Sequence, residues 1–157
     1  MDPIQSVDSE AIVLVAERVR AGETVDVSTA GMPRGPFVTD VLGLEFGQAS
    51  HGRLTAHLVL DERHHQPYGI VHGGIWCAVV ETMASVAAAL HAPDGHVVVG
   101  VNNSTDFLRP HRAGRVEGEA SLIHLGRTQQ LWQVALRRDD DAMVARGQVR
   151  LQHVASR

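Results

Sequence analysis

Cysteine is almost absent from this sequence: Cys77 is the only one among 157 residues, so no disulfide can form within the chain. A lone thiol in an apolar segment is usually a buried structural residue, and we expect a reducing, cytoplasmic location. The N-terminal segment lacks a basic region followed by an apolar run, so no secretory signal is predicted. Lys and Arg number 14 against 18 Asp and Glu, a balance that argues against nucleic acid as a partner. The sequence also lacks internal repeats, and its length predicts one domain.

One long apolar stretch dominates what is present. Gly73 to Leu90 contains no proline, and nearly every residue is apolar or small, which predicts a helix of about five turns. A helix that is apolar on all faces is buried. Its length would suit a membrane span, but Glu81 and the two opening glycines argue against that reading, so no membrane partner is expected. Glu81 carries the only charge in this helix, and an ionised carboxylate in apolar surroundings is costly unless it is paired or hydrogen-bonded. Glu81 is therefore the strongest indication of function.

Most of the remaining sequence alternates between apolar and polar residues, as strands do. We predict strands at Val38–Phe46, Arg53–Asp61, Val97–Leu108, Arg115–Leu122, Gln130–Arg138 and Met143–Leu151. In the last strand the residues expected to face the core are Met143, Ala145, Gly147, Val149 and Leu151. Val144 is expected to face outward.

The first 36 residues have a different character. A capped amphipathic helix is predicted at about Ser9–Arg20, and the Gly- and Pro-containing segment Ala21–Pro36 indicates a loop or linker. Beyond it come two strands, one long helix and four strands in meander order. This order predicts an α+β fold in which a curved antiparallel sheet wraps around the helix. A second subunit could cover the part of the helix that the sheet leaves open.

The stretch Gln66 to Gly74, QPYGIVHGG, is followed in the helix by Glu81. This arrangement resembles the hotdog-fold acyl-CoA thioesterases of the phenylacetate-degradation and 4-hydroxybenzoyl-CoA type. The segments ETMAS, VVGVNNSTDFLRP and LIHLGRTQQLWQV are similar to the subgroup that includes the 1,4-dihydroxy-2-naphthoyl-CoA thioesterases. The resemblance covers about Phe37 to His153. We therefore predict an N-terminal helix and linker at 1–36 and a hotdog thioesterase domain at 37–157.

The resemblance implies a role for each residue of this motif. Glu81 would be the catalytic carboxylate, acting as nucleophile or as general base on water. The backbone N–H of Gly73 would contact the thioester carbonyl, a suitable role because helix-start N–H groups can stabilise an oxyanion. Gln66 would orient the carbonyl or water, and His72 would fix the loop by hydrogen bonding. Ser85, one turn after Glu81, matches a water-positioning hydroxyl, although a small residue for helix packing is an equal alternative.

The resemblance also implies contacts to the CoA part of an acyl-CoA substrate. Arg109, Arg127 and Thr128 fall in segments that line the nucleotide and phosphate region of similar proteins, and Arg suits phosphate through bidentate contacts. The alternative is that these arginines are solvated surface residues at strand ends. The histidines show no compact metal-ligand spacing, so no metal site and no cofactor are predicted.

Helix geometry predicts an oligomer independently of the resemblance. Gly73 and Glu81 are eight residues apart, so about 12 Å along one helix axis. An oxyanion donor and the attacking carboxylate must both reach the same reacting atoms, which a single chain cannot arrange. Two antiparallel helices would bring each Gly73 to the other copy's Glu81. The resemblance implies the same shared sites in a homodimer, with a dimer of dimers as the expected tetramer.

Thioester hydrolysis has two alternatives at this stage. A hotdog hydratase or dehydratase usually needs an Asp/His pair, whereas this helix offers Glu81 without a nearby helix His. A non-catalytic acyl-CoA binder would be favoured if the helix lacked its carboxylate, but Glu81 is present. An aromatic or bulky acyl group is expected only by analogy with the family.

Overall fold

The computed structural model describes residues 10–30, 32 and 35–156. Its helices are α1 (Glu10–Arg20) and α2 (Gly73–Ala89), with a single π-helical turn at Phe37–Val41 and a 3₁₀ turn at Glu62–His64. Its strands are β1 (Val25–Asp26), β2 (Glu45–Ser50), β3 (Arg53–Leu60), β4 (His96–Phe107), β5 (Gly114–Leu125), β6 (Gln129–Arg138) and β7 (Met143–Ala155). They form one antiparallel sheet in the order β1-β2-β3-β5-β6-β7-β4. The predicted α+β hotdog architecture, one long helix against a curved antiparallel sheet, is confirmed.

Helix α2 lies close to the sheet because small residues face it. A side chain at Gly118 in β5 would place its Cβ 2.5 Å from the Met83 sulfur, and one at Gly147 in β7 would lie 2.7 Å from Val80. Apolar side chains from the strands of the sheet complete the core. Trp132 of β6 is the largest of the fully buried side chains among the described residues. Removal of this apolar surface from water is the main stabilising contribution.

One face of α2 remains partly exposed in the single chain. Seven residues of the helix are buried: Trp76, Val79, Val80, Met83, Ala84, Ala87 and Ala88. Cys77, Glu81 and Ser85 lie one turn apart on another face and are half-buried. The helix is thus apolar on more sides than its own sheet covers, as its sequence predicted.

Two predictions about the strands are wrong. Val38–Phe46 is not one strand, because Phe37–Val41 forms a helical turn closed by Leu42 N–H to Phe37 O at 3.0 Å, and β2 begins only at Glu45. Val144 does not face outward but is fully buried beside Ala145. The β6–β7 register shifts at this point, pairing Leu136 with Ala145 and Arg137 with Met143. Val144 is the extra residue of this bulge, which interrupts the alternation of β7.

The N-terminal segment packs on the same core as the sheet. Val15, Ala16 and Val19 of α1 are buried, and Arg20 forms an ion pair with Asp94 at 2.9 Å. The predicted linker contains the short strand β1, which pairs with Gln48 and Ala49 of β2. The predicted cap at Ser9 lies outside the described residues, and the division at residue 36 stays a prediction. Within the described part of the chain, no helix is long and apolar enough to cross a membrane.

Candidate active site

His72 starts helix α2 and holds its first turn. Its backbone is extended, and its Nδ1 accepts a hydrogen bond from the Gly74 N–H at 2.9 Å. Gly73 is the first helical residue, so its N–H has no acceptor within the helix and lies at the positive end of the helix dipole. A Cβ at Gly73 would lie 2.6 Å from the Phe107 ring of β4. A larger residue at position 73 would therefore displace the exposed Phe107 ring.

The loop that carries Gln66 is fixed by His64. The buried imidazole of His64 accepts from the Asp61 N–H at 3.1 Å and contacts Val41 O at 3.1 Å, while its backbone O accepts from the His72 N–H. Asp61 caps the 3₁₀ turn, and its hydrogen bond with the Arg63 side chain lowers the Asp61 pKa to about 2. Gln66 then opens a tight turn in which its O accepts from the Gly69 N–H at 2.9 Å, and Gly69 has the left-handed φ of 70°.

A cavity of about 480 Å³ opens at the N-terminal end of α2. Four of the predicted site residues line this cavity: Gln66, His72, Gly73 and Arg109. The apolar part of the wall includes Ile70, Val71, Trp76, Phe107 and Leu108. We call this space the N-terminal cavity. Its walls combine a polar helix start with an apolar surface.

Glu81 lies further along α2 and makes its contacts with β4. Its Oε2 accepts a hydrogen bond from Asn103 Nδ2 at 2.9 Å, and its Oε1 lies against Gly100, where a Cβ would overlap it. Asn103 Nδ2 also donates to Cys77 O at 3.1 Å, and Thr105 Oγ1 donates to Asn103 Oδ1 at 2.7 Å. Both carboxylate oxygens thus contact β4, while the residue as a whole is half-buried.

Sequence reasoning missed this support on β4. Gly100, Asn103 and Thr105 lie in the predicted strand Val97–Leu108, but the sequence alone predicts no role for any of them. The available signal is a run of polar residues, Asn102 to Asp106, that follows the mainly apolar first half of the same strand. A polar segment on a strand next to the helix that carries the sole carboxylate indicates a partner for that carboxylate.

The structure does not bring all of the predicted residues together. Glu81 and Ser85 are not among the residues lining the N-terminal cavity. Arg127 and Thr128 lie in the β5–β6 turn, and the backbone carbonyls of both accept hydrogen bonds from His153. The His153 ring contacts Gln130, which donates to Ala88 O near the C-terminal end of α2. Arg127 and Thr128 therefore lie at one end of α2, and Arg109 lies at the other end, about 25 Å away along the helix. Arg109 Nη1 donates to Met143 O at 2.8 Å.

Comparison with known proteins places the chain in a family. The profile of the thioesterase superfamily matches residues 68–145. The esterase-named protein Rv1847 of Mycobacterium tuberculosis is 45% identical over 126 residues, covering 78% of this chain and 89% of the relative. The chain belongs to the thioesterase superfamily. This membership makes it a hydrolase of the thioesterase type.

Solved structures and a further relative agree with this placement. The structure of Rv1847 superposes with a TM-score of 0.74 over 78% of this chain and 99% of its own. The proofreading thioesterase EntH of Klebsiella pneumoniae is 38% identical over 60% of this chain and 69% of its own length. A thioesterase-named, phenylacetic acid degradation-related protein of Ralstonia eutropha is 26% identical, with a TM-score of 0.71 over 78% of this chain and 93% of its own. The family resemblance seen in the sequence is confirmed.

Proposed function

We propose that this protein hydrolyses acyl-CoA thioesters, using Glu81 as the catalytic carboxylate. Glu81 either removes a proton from water or attacks the carbonyl carbon itself. Both routes break the C–S bond, consume one water molecule and release a carboxylic acid and the CoA thiol. The observation that carries this proposal is the position of Glu81, held by Asn103 on a half-covered face of an otherwise uncharged helix.

The second part of the proposal is a site shared by two copies of the chain. Within one copy, Glu81 is about 12 Å from the Gly73 N–H along the helix, and it does not line the N-terminal cavity. If two α2 helices lie antiparallel along their partly exposed faces, each Gly73 meets the other copy's Glu81. The developing oxyanion then faces Gly73, and Gln66 orients the carbonyl or the water. Ser85, one turn beyond Glu81, positions the same water.

The same arrangement explains the separation of the proposed CoA contacts. Antiparallel helices place the C-terminal end of one α2, with the Arg127 and Thr128 turn, beyond the N-terminal end of the other. Arg109 of one copy and Arg127 of the other would then face the phosphates of one CoA from two sides. We propose a homodimer as the active unit, a dimer of dimers as the tetramer, and the cytoplasm as its location.

An aromatic or otherwise bulky acyl group suits the N-terminal cavity best. The exposed ring of Phe107 lies in its wall beside Ile70 and Leu108, and its volume is about 480 Å³. Aromatic groups bury large apolar areas and gain from ring contacts. We therefore expect benzoyl-CoA to have a higher kcat/KM than acetyl-CoA.

Hydrolysis of a small acyl-CoA panel by wild type and Glu81→Gln, followed by thiol release, tests this function. The amide has nearly the same shape but can neither attack nor accept a proton, so kcat should fall by about 10²- to 10⁴-fold. Glu117→Gln is the matched control: it replaces an exposed carboxylate on β5 by an amide and should retain wild-type kcat. Wild-type turnover by Glu81→Gln, or no thiol release by wild type with any panel member, would contradict the proposal.

A further inference from the structure

The two oxygens of the Glu81 carboxylate have different surroundings. Oε2 is occupied by the hydrogen bond from Asn103 Nδ2 at 2.9 Å. Oε1 lies over Gly100, where the absence of a side chain leaves it the space that a Cβ would fill. The carboxylate therefore has one oxygen anchored to β4 and one oxygen that Asn103 does not hold.

The orientation of the Asn103 amide is fixed from three sides. Its Nδ2 faces two acceptors, Glu81 Oε2 and Cys77 O, and its Oδ1 accepts from the Thr105 hydroxyl at 2.7 Å. A flipped amide would place its oxygen against both acceptors, whereas the Thr105 hydroxyl can donate or accept and would tolerate either orientation. Glu81 Oε2 and Cys77 O thus select the donating orientation of the amide, and the bond to Thr105 limits rotation of the Asn103 side chain.

A bulge in β4 makes this arrangement possible. The β4–β7 register shifts between Gly100, which pairs with Leu151, and Asn102, which pairs with Arg150. Val101 is the extra residue, so the alternation of side chains changes phase there. Gly100 before the bulge and Asn103 after it both face Glu81, although an uninterrupted strand would send residues three apart to opposite faces.

We propose that Asn103 is a positioning residue that selects the working oxygen of Glu81. By donating to Oε2 it directs Oε1 toward water or the thioester carbonyl, and Thr105 holds the Asn103 side chain in position through its hydroxyl. This inference rests on the proposed function, because it assigns a role within the same site. It differs from a packing role for Asn103, which would affect stability without changing the chemical step.

The test compares Asn103→Leu with the pair Thr105→Val and Thr105→Ser, using benzoyl-CoA hydrolysis by the intact oligomer. Asn103→Leu keeps the approximate volume and removes the donor, so kcat should fall by about 10- to 100-fold with KM changed little. Thr105→Val keeps the shape without the hydroxyl and should lower kcat by about 3- to 10-fold. Thr105→Ser retains the hydroxyl and should keep most of the wild-type kcat.

A double-mutant comparison separates positioning from packing. If Asn103 acts through Glu81, then adding Asn103→Leu to Glu81→Gln should not lower the residual rate further. Equal kcat for wild type, Asn103→Leu and Thr105→Val would overturn this inference while leaving the thioesterase function intact. Thr105→Ser as impaired as Thr105→Val would overturn it too, because the hydroxyl would then be irrelevant. Absence of thiol release by the wild type with every member of the acyl-CoA panel would overturn the proposed function and, with it, this inference.

Discussion

Replacing Gly100 by alanine tests whether the position of the Glu81 carboxylate controls catalysis. A Cβ at this position would overlap Glu81 Oε1 and lie 3.2 Å from the carboxylate carbon. To restore an ordinary contact, the oxygen must move by about 1 Å, and a misplacement of that size can cost about 10²-fold in rate. We therefore expect Gly100→Ala to lower kcat by about two orders of magnitude.

The assay is benzoyl-CoA hydrolysis at saturating substrate, with thermal unfolding and oligomer size measured on the same samples. Gly118→Ala is the matched control, because its Cβ would also meet an α2 side chain, the Met83 sulfur at 2.5 Å. A methionine side chain is flexible and can yield, so this control should lose stability but keep its kcat. A folded Gly100→Ala enzyme with wild-type kcat would refute the reasoning, because the carboxylate would then tolerate displacement.

Two further predictions concern stability at the C-terminal end of α2. Gln130 accepts from Trp132 Nε1 at 2.7 Å, and its Nε2 lies 2.9 Å from His153 Nε2. Gln130→Met should remove both partners and lower the free energy of unfolding by about 2–5 kcal/mol, measured by urea denaturation. A loss below about 0.5 kcal/mol would contradict this estimate. Burial lowers the pKa of His91 from its ordinary value of 6.5. Below pH 6.5 the unfolded chain therefore binds a proton at His91 more readily than the folded chain does, and the free energy of unfolding falls. Above pH 6.5 His91 is neutral in both states and has no such effect. His91→Gln should therefore flatten the decline of unfolding free energy on acidification, and an equally steep decline in both proteins would contradict that role.

The sequence predicted the helix and most strands because their signals are local. The apolar run of α2 and the alternation of Leu54, Ala56, Leu58 and Leu60 in β3 appear directly in the sequence, and those four residues are buried. The turn at Phe37–Val41 was missed because the apolar residues after it, Leu42, Leu44 and Phe46, keep a strand-like spacing. All three are buried, but a helical turn precedes the strand that begins only at Glu45.

Features that depend on pairing with a distant strand could not be predicted. The bulges at Val101 and Val144 arise from the register that β4 and β6 adopt against β7, and a single strand's sequence does not specify that register. Asn103 supports Glu81 from 22 residues away, so no local motif connects them. Gln66, His72 and Gly73 were predictable as a group because they lie within eight residues of one another and enter one cavity.

A mixed oligomer tests the central claim, that Glu81 of one copy works with Gly73 and Gln66 of another. Glu81→Gln and Gln66→Ala chains carry different affinity tags, are co-expressed, and are purified through both tags. A mixed dimer then has both lesions in one site and an intact second site, so activity should recover to about half of wild type, although each parent is weak. Mixed dimers that are no more active than the average of the two parents would contradict the shared site. Glu81 would then work with Gln66 of its own subunit.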